Sequence, residues 1–265
     1  MTNITVTTDA TDTKGLLIAI DGVDGSGKDT QLALLMQAFK NAYPGRESIL
    51  VKCPYDQGIS GVLRRLALGQ PVAGVTDTWS LLANGEHTKG QTIFTGARTH
   101  ADEIPDALVS HWLLFTEFLH THRTVIQPAL DRGAIVVCNR SHFTSNFAYG
   151  VALGLPPEEL EPVIEMQERF MPYPEMIAVL DLPVEIAKAR LASRSESGGE
   201  INHFDLVDEH VFQVRRASYH YLAESRWPAM VKLVDGNGTP EEVQVRLLMT
   251  LLPVLPAMKE HLLCV

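Results

Sequence analysis

The sequence predicts an α/β fold, a parallel sheet flanked by helices, and two observations carry that prediction. Apolar runs of strand length alternate along the chain with longer helical patterns, the rhythm of repeated strand–helix–strand units. The first apolar run also passes directly into a glycine-rich loop with a helical pattern behind it. At 265 residues, 45% hydrophobic and 20% charged, the chain has the composition of a globular protein rather than a disordered or fibrous one. That length accommodates one large core or two small ones.

In order, the expected strands are residues 16–20, 48–53, 134–138, 176–180 and 230–234. Helices are expected at 28–41, 60–68, 106–131, 157–170, 183–193, 206–224 and 240–252. The clearest helix carries Leu108, Trp112, Phe115 and Leu119 at spacings of 4, 3 and 4, one stripe of an amphipathic surface. Residues 69–105 are rich in glycine, threonine and small polar side chains and exceed an ordinary connection in length, so they read as an insertion or lid. Residues 193–200 join two helices through Gly198-Gly199, a composition that permits hinging. Neither stretch reads as a domain boundary, and no internal repeat is visible.

Lys and Arg number 22 against 32 Asp and Glu, a net charge of −10. No general basic field exists to hold duplex nucleic acid or an anionic membrane, so any phosphate ligand must be gripped locally. Three cysteines at distant spacings, Cys53, Cys138 and Cys264, argue against a disulfide framework or a Cys-rich zinc site and favour a reducing compartment. Residues 1–14 are polar and Thr/Asp-rich, read as a disordered tail without the features of a signal peptide. No apolar run approaches the roughly 18–20 residues of a membrane span. The expectation is a soluble cytoplasmic protein with neither a membrane partner nor stable nucleic-acid binding.

The strongest motif is Leu16-Leu-Ile-Ala-Ile-Asp-Gly-Val-Asp-Gly-Ser-Gly-Lys-Asp-Thr-Gln31, in which Gly22 and Gly27-Lys28 frame four residues. Glycines let backbone N–H groups wrap a polyphosphate, the following helix N-terminus adds positive potential, and the lysine reaches the terminal phosphates. Gly22, Gly25, Ser26, Gly27, Lys28, Asp29 and Thr30 are therefore the candidate nucleotide-binding residues. Where a hydroxyl usually follows the lysine to ligate Mg²⁺, this chain has Asp29 and then Thr30. Two readings stand: Asp29 and Thr30 hold Mg²⁺ directly or through water, or Asp29 caps the helix and points away.

The loop Asp21-Gly-Val-Asp-Gly-Ser-Gly-Lys-Asp-Thr-Gln31 closely resembles that of thymidylate kinases, a branch of the nucleoside monophosphate kinases. The likeness recurs along the chain in Pro54-Tyr-Asp, Gly61-Val-Leu-Arg-Arg65, Leu113-Leu-Phe115, the stretch from Gln127 to Asn139-Arg140, Ser145-Asn-Phe-Ala-Tyr149, Gly199-Glu-Ile-Asn-His-Phe-Asp205, Val214-Arg-Arg-x-x-Tyr219 and Val234-Asp-Gly236. It implies a three-layer α/β/α P-loop fold over residues 15–265, a five-stranded parallel sheet in the order 2-3-1-4-5, and a helical lid near 193–205. It further implies ATP and Mg²⁺ as donor and cofactor, a deoxynucleoside monophosphate as acceptor, and a homodimer.

By the same resemblance, Arg140 holds the acceptor phosphate, at the end of a parallel strand where such sheets bind ligands. Arg64 or Arg65 is a second clamp; adjacent helix residues do not share a face, so one of the two serves. Arg190 and Arg194 flank the lid and supply charge to the transition state, because the loop holds Gly25 where other members have arginine. Asp24 approaches the sugar 3′-hydroxyl, Tyr149 packs under the sugar, and Phe115 stacks on the base, although periodicity alone would put Phe115 in the core.

Four departures bear on the substrate. Asn139 replaces the aspartate of the family's Asp-Arg pair, a loss that Asp29 complements in charge. Leu119 stands where an arginine would contact thymine, Cys53 replaces an aromatic lining the base site, and residues 202–205 read Asn-His-Phe-Asp. Lost base donors redirect selectivity, so thymine is the default base and a modified pyrimidine is compatible. The competing readings are a kinase acting on a nucleoside or on a base hydroxyl in DNA, and a nucleotide-binding protein without transfer activity. His120-x-His122 with nearby His111 reads as a solvated surface group, since helix positions two apart point to different sides.

Overall fold

The computed structural model describes residues 14–54, 58–67, 106–196 and 209–263. Strands β1 (Leu16–Asp21), β2 (Ser48–Lys52), β3 (Ile135–Asn139), β4 (Met176–Asp181) and β5 (Val231–Asp235) pair in parallel in the order β2-β3-β1-β4-β5. The central strand β1 is buried on both faces, as parallel strands covered by helices must be. Leu17 and Ala19 face one core cluster while Ile18 and Ile20 face the other. On the second face lie α1 (Lys28–Ala42), α9 (Pro240–Leu251) and a 3₁₀ segment (Pro256–Leu263), contributing Leu32, Phe39, Leu247 and Met258. The first face is covered by α3 (Ala107–Thr121), α5 (His142–Ala152), α6 (Pro157–Phe170) and α8 (Glu209–Tyr221), through Leu114, Phe147, Val163 and Phe212. The result is the expected three-layer architecture.

Local chemistry sets the helix starts. Asp106 caps α3 by accepting from the Leu108 and Val109 amides at 2.9 and 3.4 Å. Thr239 and Glu242 form a reciprocal capping box at α9, with Pro240 at its first position. The remaining helices are α2 (Gly58–Ala67), α4 (Gln127–Asp131) and α7 (Val184–Glu196). The single helix expected over 106–131 is interrupted by a π-helical turn, His122–Ile126, between α3 and α4.

Helix α5 was not expected from the sequence. It is buried nearly all round, with His142, Phe143, Thr144, Ser145, Asn146, Phe147, Ala148 and Gly150 enclosed. A helix without a solvated face shows no amphipathic period, and only its cap, Ser141 accepting from the Phe143 amide, marks it locally. The histidines also depart from expectation. His111 and His122 are core residues, 0% and 3% exposed, and burial pushes the His111 imidazole down to about 4. Among the described residues no His/Cys/Asp/Glu cluster could hold a metal ion, and no helix is long and apolar enough to cross a membrane. Of the expected tail, insertion and lid, residues 1–13, 69–105 and 197–205 lie outside the described residues.

Candidate active site

The pairing of Ile20 with Asn139 sets the carboxyl ends of β1 and β3 side by side, where open parallel sheets bind ligands. The chain leaves β1 as the glycine loop and β3 as Arg140-Ser141 leading into α5. Asp21, fully buried, ties the two together. Its carboxylate accepts from the Gly22 and Ser141 amides at 2.8 and 3.2 Å, from the Ser145 hydroxyl at 2.9 Å, from the Tyr219 hydroxyl at 3.0 Å, and from the Thr144 hydroxyl. One carboxylate thus links the loop, β3, α5 and α8.

The loop has the shape a polyphosphate needs. Gly25 has φ +79, and a Cβ there would meet the Ala187 carbonyl of α7 at 2.4 Å. Gly27, with φ +93, precedes α1, and a Cβ on it would meet only the Arg190 guanidinium at 3.7 Å. Both conformations belong to glycine. No side chain caps α1 at Gly27, so the first amides of the helix stay available to an anion. Lys28 is 8% exposed, with its ammonium donating to the Gly22 and Val23 carbonyls at 2.9 and 2.8 Å. Burial, with Arg140 beside it, pushes the Lys28 ammonium down to about 7 against the opposing pull of Asp24 and Asp21.

Arg140 has a left-handed backbone, φ 76, a conformation that costs a side-chain-bearing residue about 1–2 kcal/mol. It turns the chain so that the guanidinium folds back over the loop, donating to the Gly22 carbonyl at 3.1 Å and pairing with Asp24. The second Asp24 oxygen accepts from Arg215 of α8 at 3.0 Å. Burial alone would raise the Asp24 carboxyl, but Arg140, Arg215 and Lys28 outweigh it and hold that carboxyl well below the usual carboxylate range.

Asn139 donates its side-chain amide to Asp29 Oδ1 at 2.8 Å. Asp29 is therefore turned toward β3 rather than away from it, which removes the reading of a cap that points away. Asp29 and Thr30 both face a cavity of about 490 Å³. The loop fits a polyphosphate, and the Asp29 carboxylate with the Thr30 hydroxyl fits Mg²⁺, a hard cation that takes oxygen ligands.

The cavity is lined by Gly25, Gly27 and Arg190, which lie together at the loop, and also by Cys53, Leu114, Phe118 and Asn146. Lys28, Lys52, Arg64, Arg140, Arg190 and Arg215 line it against Asp24 and Asp29, so positive charge is concentrated here on a chain of net charge −10. Arg190 donates to the Gly236 carbonyl at 3.2 Å. Tyr149 lines the wall, and burial pushes its hydroxyl up to about 12. Cys53 lies beside Cys138, and that contact together with burial raises its thiol well above the ordinary value.

Of the expected site residues, Asp24, Gly25, Gly27, Lys28, Asp29, Thr30, Cys53, Arg64, Asn139, Arg140, Tyr149 and Arg190 line this cavity. Gly22 and Ser26 are buried members of the loop that do not line the cavity, with Ser26 1% exposed. Arg65 is turned from the cavity, with its Nε buried and unpaired. Phe115, expected to stack on the base, is instead a core residue, 5% exposed, with its ring edge-on to Trp112 at 5.7 Å. The rotation of α3 presents Leu114 and Phe118 instead. The Arg194 side chain lies outside the described residues.

Four functional candidates were not legible beforehand: Asp21, Asn146, Phe118 and Arg215. Asn146 is 1% exposed and lines the cavity, and neither its amide oxygen nor its nitrogen has a partner.

A family model described as thymidylate kinase matches residues 101–247. A probable thymidylate kinase of Thermococcus onnurineus is 32% identical over 228 residues, spanning 86% of this chain and 93% of its own. The thymidylate kinase of Symbiobacterium thermophilum is 32% identical over 241 residues, 91% of this chain and 94% of its own. The solved structure of thymidylate kinase from Ehrlichia chaffeensis covers 90% of this chain and 99% of its own with a TM-score of 0.58 at 16% identity, a likeness of fold. The family match over more than half of the sequence, and relatives aligned along nearly their whole length, agree with the glycine loop, sheet order and cationic cavity: the chain belongs to the thymidylate kinase family.

Proposed function

We propose that the protein transfers the γ-phosphoryl group of ATP to the 5′-phosphate of a pyrimidine deoxynucleoside monophosphate, dTMP or a relative with a modified base. An acceptor phosphate oxygen bonds to the γ-phosphorus, the bond to the β-bridging oxygen breaks, and ADP and a nucleoside diphosphate leave. The observation that supports this reading is one cavity lined by the glycine loop and six cationic side chains, suited to two polyanions. Phosphoryl transfer asks the protein chiefly for positioning and charge neutralisation.

In this reading the loop and Lys28 hold the donor phosphates, and Arg190 and Arg194 approach them from α7. Arg140 and Arg64 hold the acceptor phosphate, Tyr149 packs under the sugar, and Asp24 lies near its 3′ side. Mg²⁺, when bound, would supply positive charge that offsets the charge of the donor phosphates. Asn139 orients the Asp29 carboxylate that, with Thr30, would hold it. The family's homodimer belongs to the same reading and is checked by light scattering.

A coupled ADP-release assay across all deoxynucleoside monophosphates and the corresponding nucleosides tests the proposal. Turnover confined to a pyrimidine monophosphate is expected; no turnover with any monophosphate would overturn it.

Variants probe two parts of the cavity. Asn146, whose amide offers one donor and one acceptor to a base edge, should when replaced by Ala lower kcat/KM for the preferred monophosphate by about 10–100-fold. KM for ATP should stay unchanged. At the glycine loop, Asp29→Ser and Asn139→Asp should each weaken Mn²⁺·ADP binding, measured by electron paramagnetic resonance, by about 10–100-fold. Asp29→Ser removes the carboxylate, while Asn139→Asp sets a second one against it. The double variant moves the carboxylate to the neighbouring strand end and should recover most of the loss.

A further inference from the structure

Helix α8 carries two consecutive arginines that part company. Arg216 makes a two-pronged bond to the Asp181 carboxylate at 2.7 and 2.8 Å, at the end of β4. Arg215 points inward, is 8% exposed and lines the cavity. Its Nη1 donates to Asp24 Oδ2 at 3.0 Å, while its Nε is buried without any partner. Asp24 thus has one oxygen on Arg140 and the other on Arg215, which pins the two guanidinium groups on one anionic bridge.

The charges around this bridge do not balance. Lys28, Lys52, Arg64, Arg140, Arg190 and Arg215 line the cavity against Asp24 and Asp29, with Asp21 buried behind them. A buried positive excess is costly unless it is paired. An oxyanion in the cavity supplies the missing charge, and guanidinium forks suit phosphate in particular.

We infer that Arg215 and Arg140 together clamp the acceptor's 5′-phosphate, with Asp24 as the spacer that holds both arginines in position before the acceptor arrives. This rests on the monophosphate-kinase reading above and adds to it a substrate-contacting residue whose motif, Val214-Arg-Arg-x-x-Tyr219, carries no assigned role in the sequence. It also gives Asp24 a second task, the alignment of two cations. The arrangement makes acceptor binding depend on a phosphate, because with a nucleoside the two guanidinium groups would share the single charge of Asp24.

The test compares dTMP with thymidine, each bound calorimetrically without ATP, in the wild-type protein and in Arg215→Gln. The variant should weaken dTMP binding by about 10–100-fold, the range for a charge-assisted hydrogen bond, while thymidine binding and KM for ATP stay within a factor of about 3. Arg215→Lys should recover part of the loss. If Arg215 only neutralises Asp24, both ligands weaken together or neither does, and an unchanged ratio of dTMP to thymidine affinity overturns the inference. Should Arg215→Gln not fold, the charge-balanced Asp24→Asn/Arg215→Gln variant is compared with Asp24→Asn on the same ratio. The two proposals fail separately. Turnover of dTMP with an unchanged ratio sinks the clamp alone, and a collapsed ratio in a protein that turns over no monophosphate sinks the kinase reading alone.

Discussion

Arg140→Ala is expected to lower kcat/KM for the acceptor monophosphate by about 10²–10³-fold, the usual loss when one preorganised charged donor is removed. The guanidinium reaches the cavity because the backbone at φ 76 folds it over the loop, where it donates to the Gly22 carbonyl and pairs with Asp24. Without it, Asp24 keeps Arg215 at 3.0 Å, so the carboxylate is not left unpaired and the fold should persist. Thermal melting checks that point. Arg140→Lys keeps a charge but not the fork and should recover only part of the activity. The same variant separates the competing functions: a kinase acting on a nucleoside has no acceptor phosphate to lose and would retain most of its turnover.

Lys28→Met should remove turnover to a similar or greater degree, and it should also abolish a pH effect. Burial and Arg140 hold the Lys28 ammonium down to about 7, so a growing fraction is neutral as the pH rises above that value. Polyphosphate favours the charged form and raises the pKa, so binding must take up a proton at pH above about 7 and almost none well below it. The sign follows directly: nucleotide affinity falls as pH rises, by up to about tenfold per unit. Titration calorimetry of ATP in buffers of different ionisation enthalpy measures the uptake, which should approach one proton near pH 8 in the wild type and vanish in Lys28→Met. Asp21, Asp24, Arg140 and Arg215 surround the same ammonium. A wild-type protein showing no proton uptake at any pH would contradict the buried, cation-flanked environment of Lys28.

The strands, the glycine loop and α1 were legible because their signals are local. An apolar run buried on both faces must be a covered strand, and Gly22, Gly25 and Gly27 before Lys28 answer to backbone geometry and to phosphate chemistry within a few residues. Helix α5 was not legible because its burial erases the period that marks a surface helix. The choices within helices were equally hidden. Arg64 or Arg65, and Phe115 or Phe118, differ by rotation about a helix axis, and the rotation is set by what the helix packs against. Leu114, Phe115 and Phe118 all belong to one core cluster, but only Leu114 and Phe118 also line the cavity, while the Phe115 ring packs edge-on to Trp112.

What the sequence by itself determined was the fold class, the family likeness and the place of the glycine loop proposed to hold phosphate. Each depends on short-range order along the chain, which folding preserves. Tertiary structure alone decided which distant side chains meet around the cavity. Arg215 meets Asp24 across 191 residues and Asn139 meets Asp29 across 110, pairings that exist only because parallel β1 and β3 end side by side with α8 laid across them. A charge brought in from so far along the chain leaves no spacing to read, and burial gives it an energetic weight that no solvated arginine in the same sequence carries.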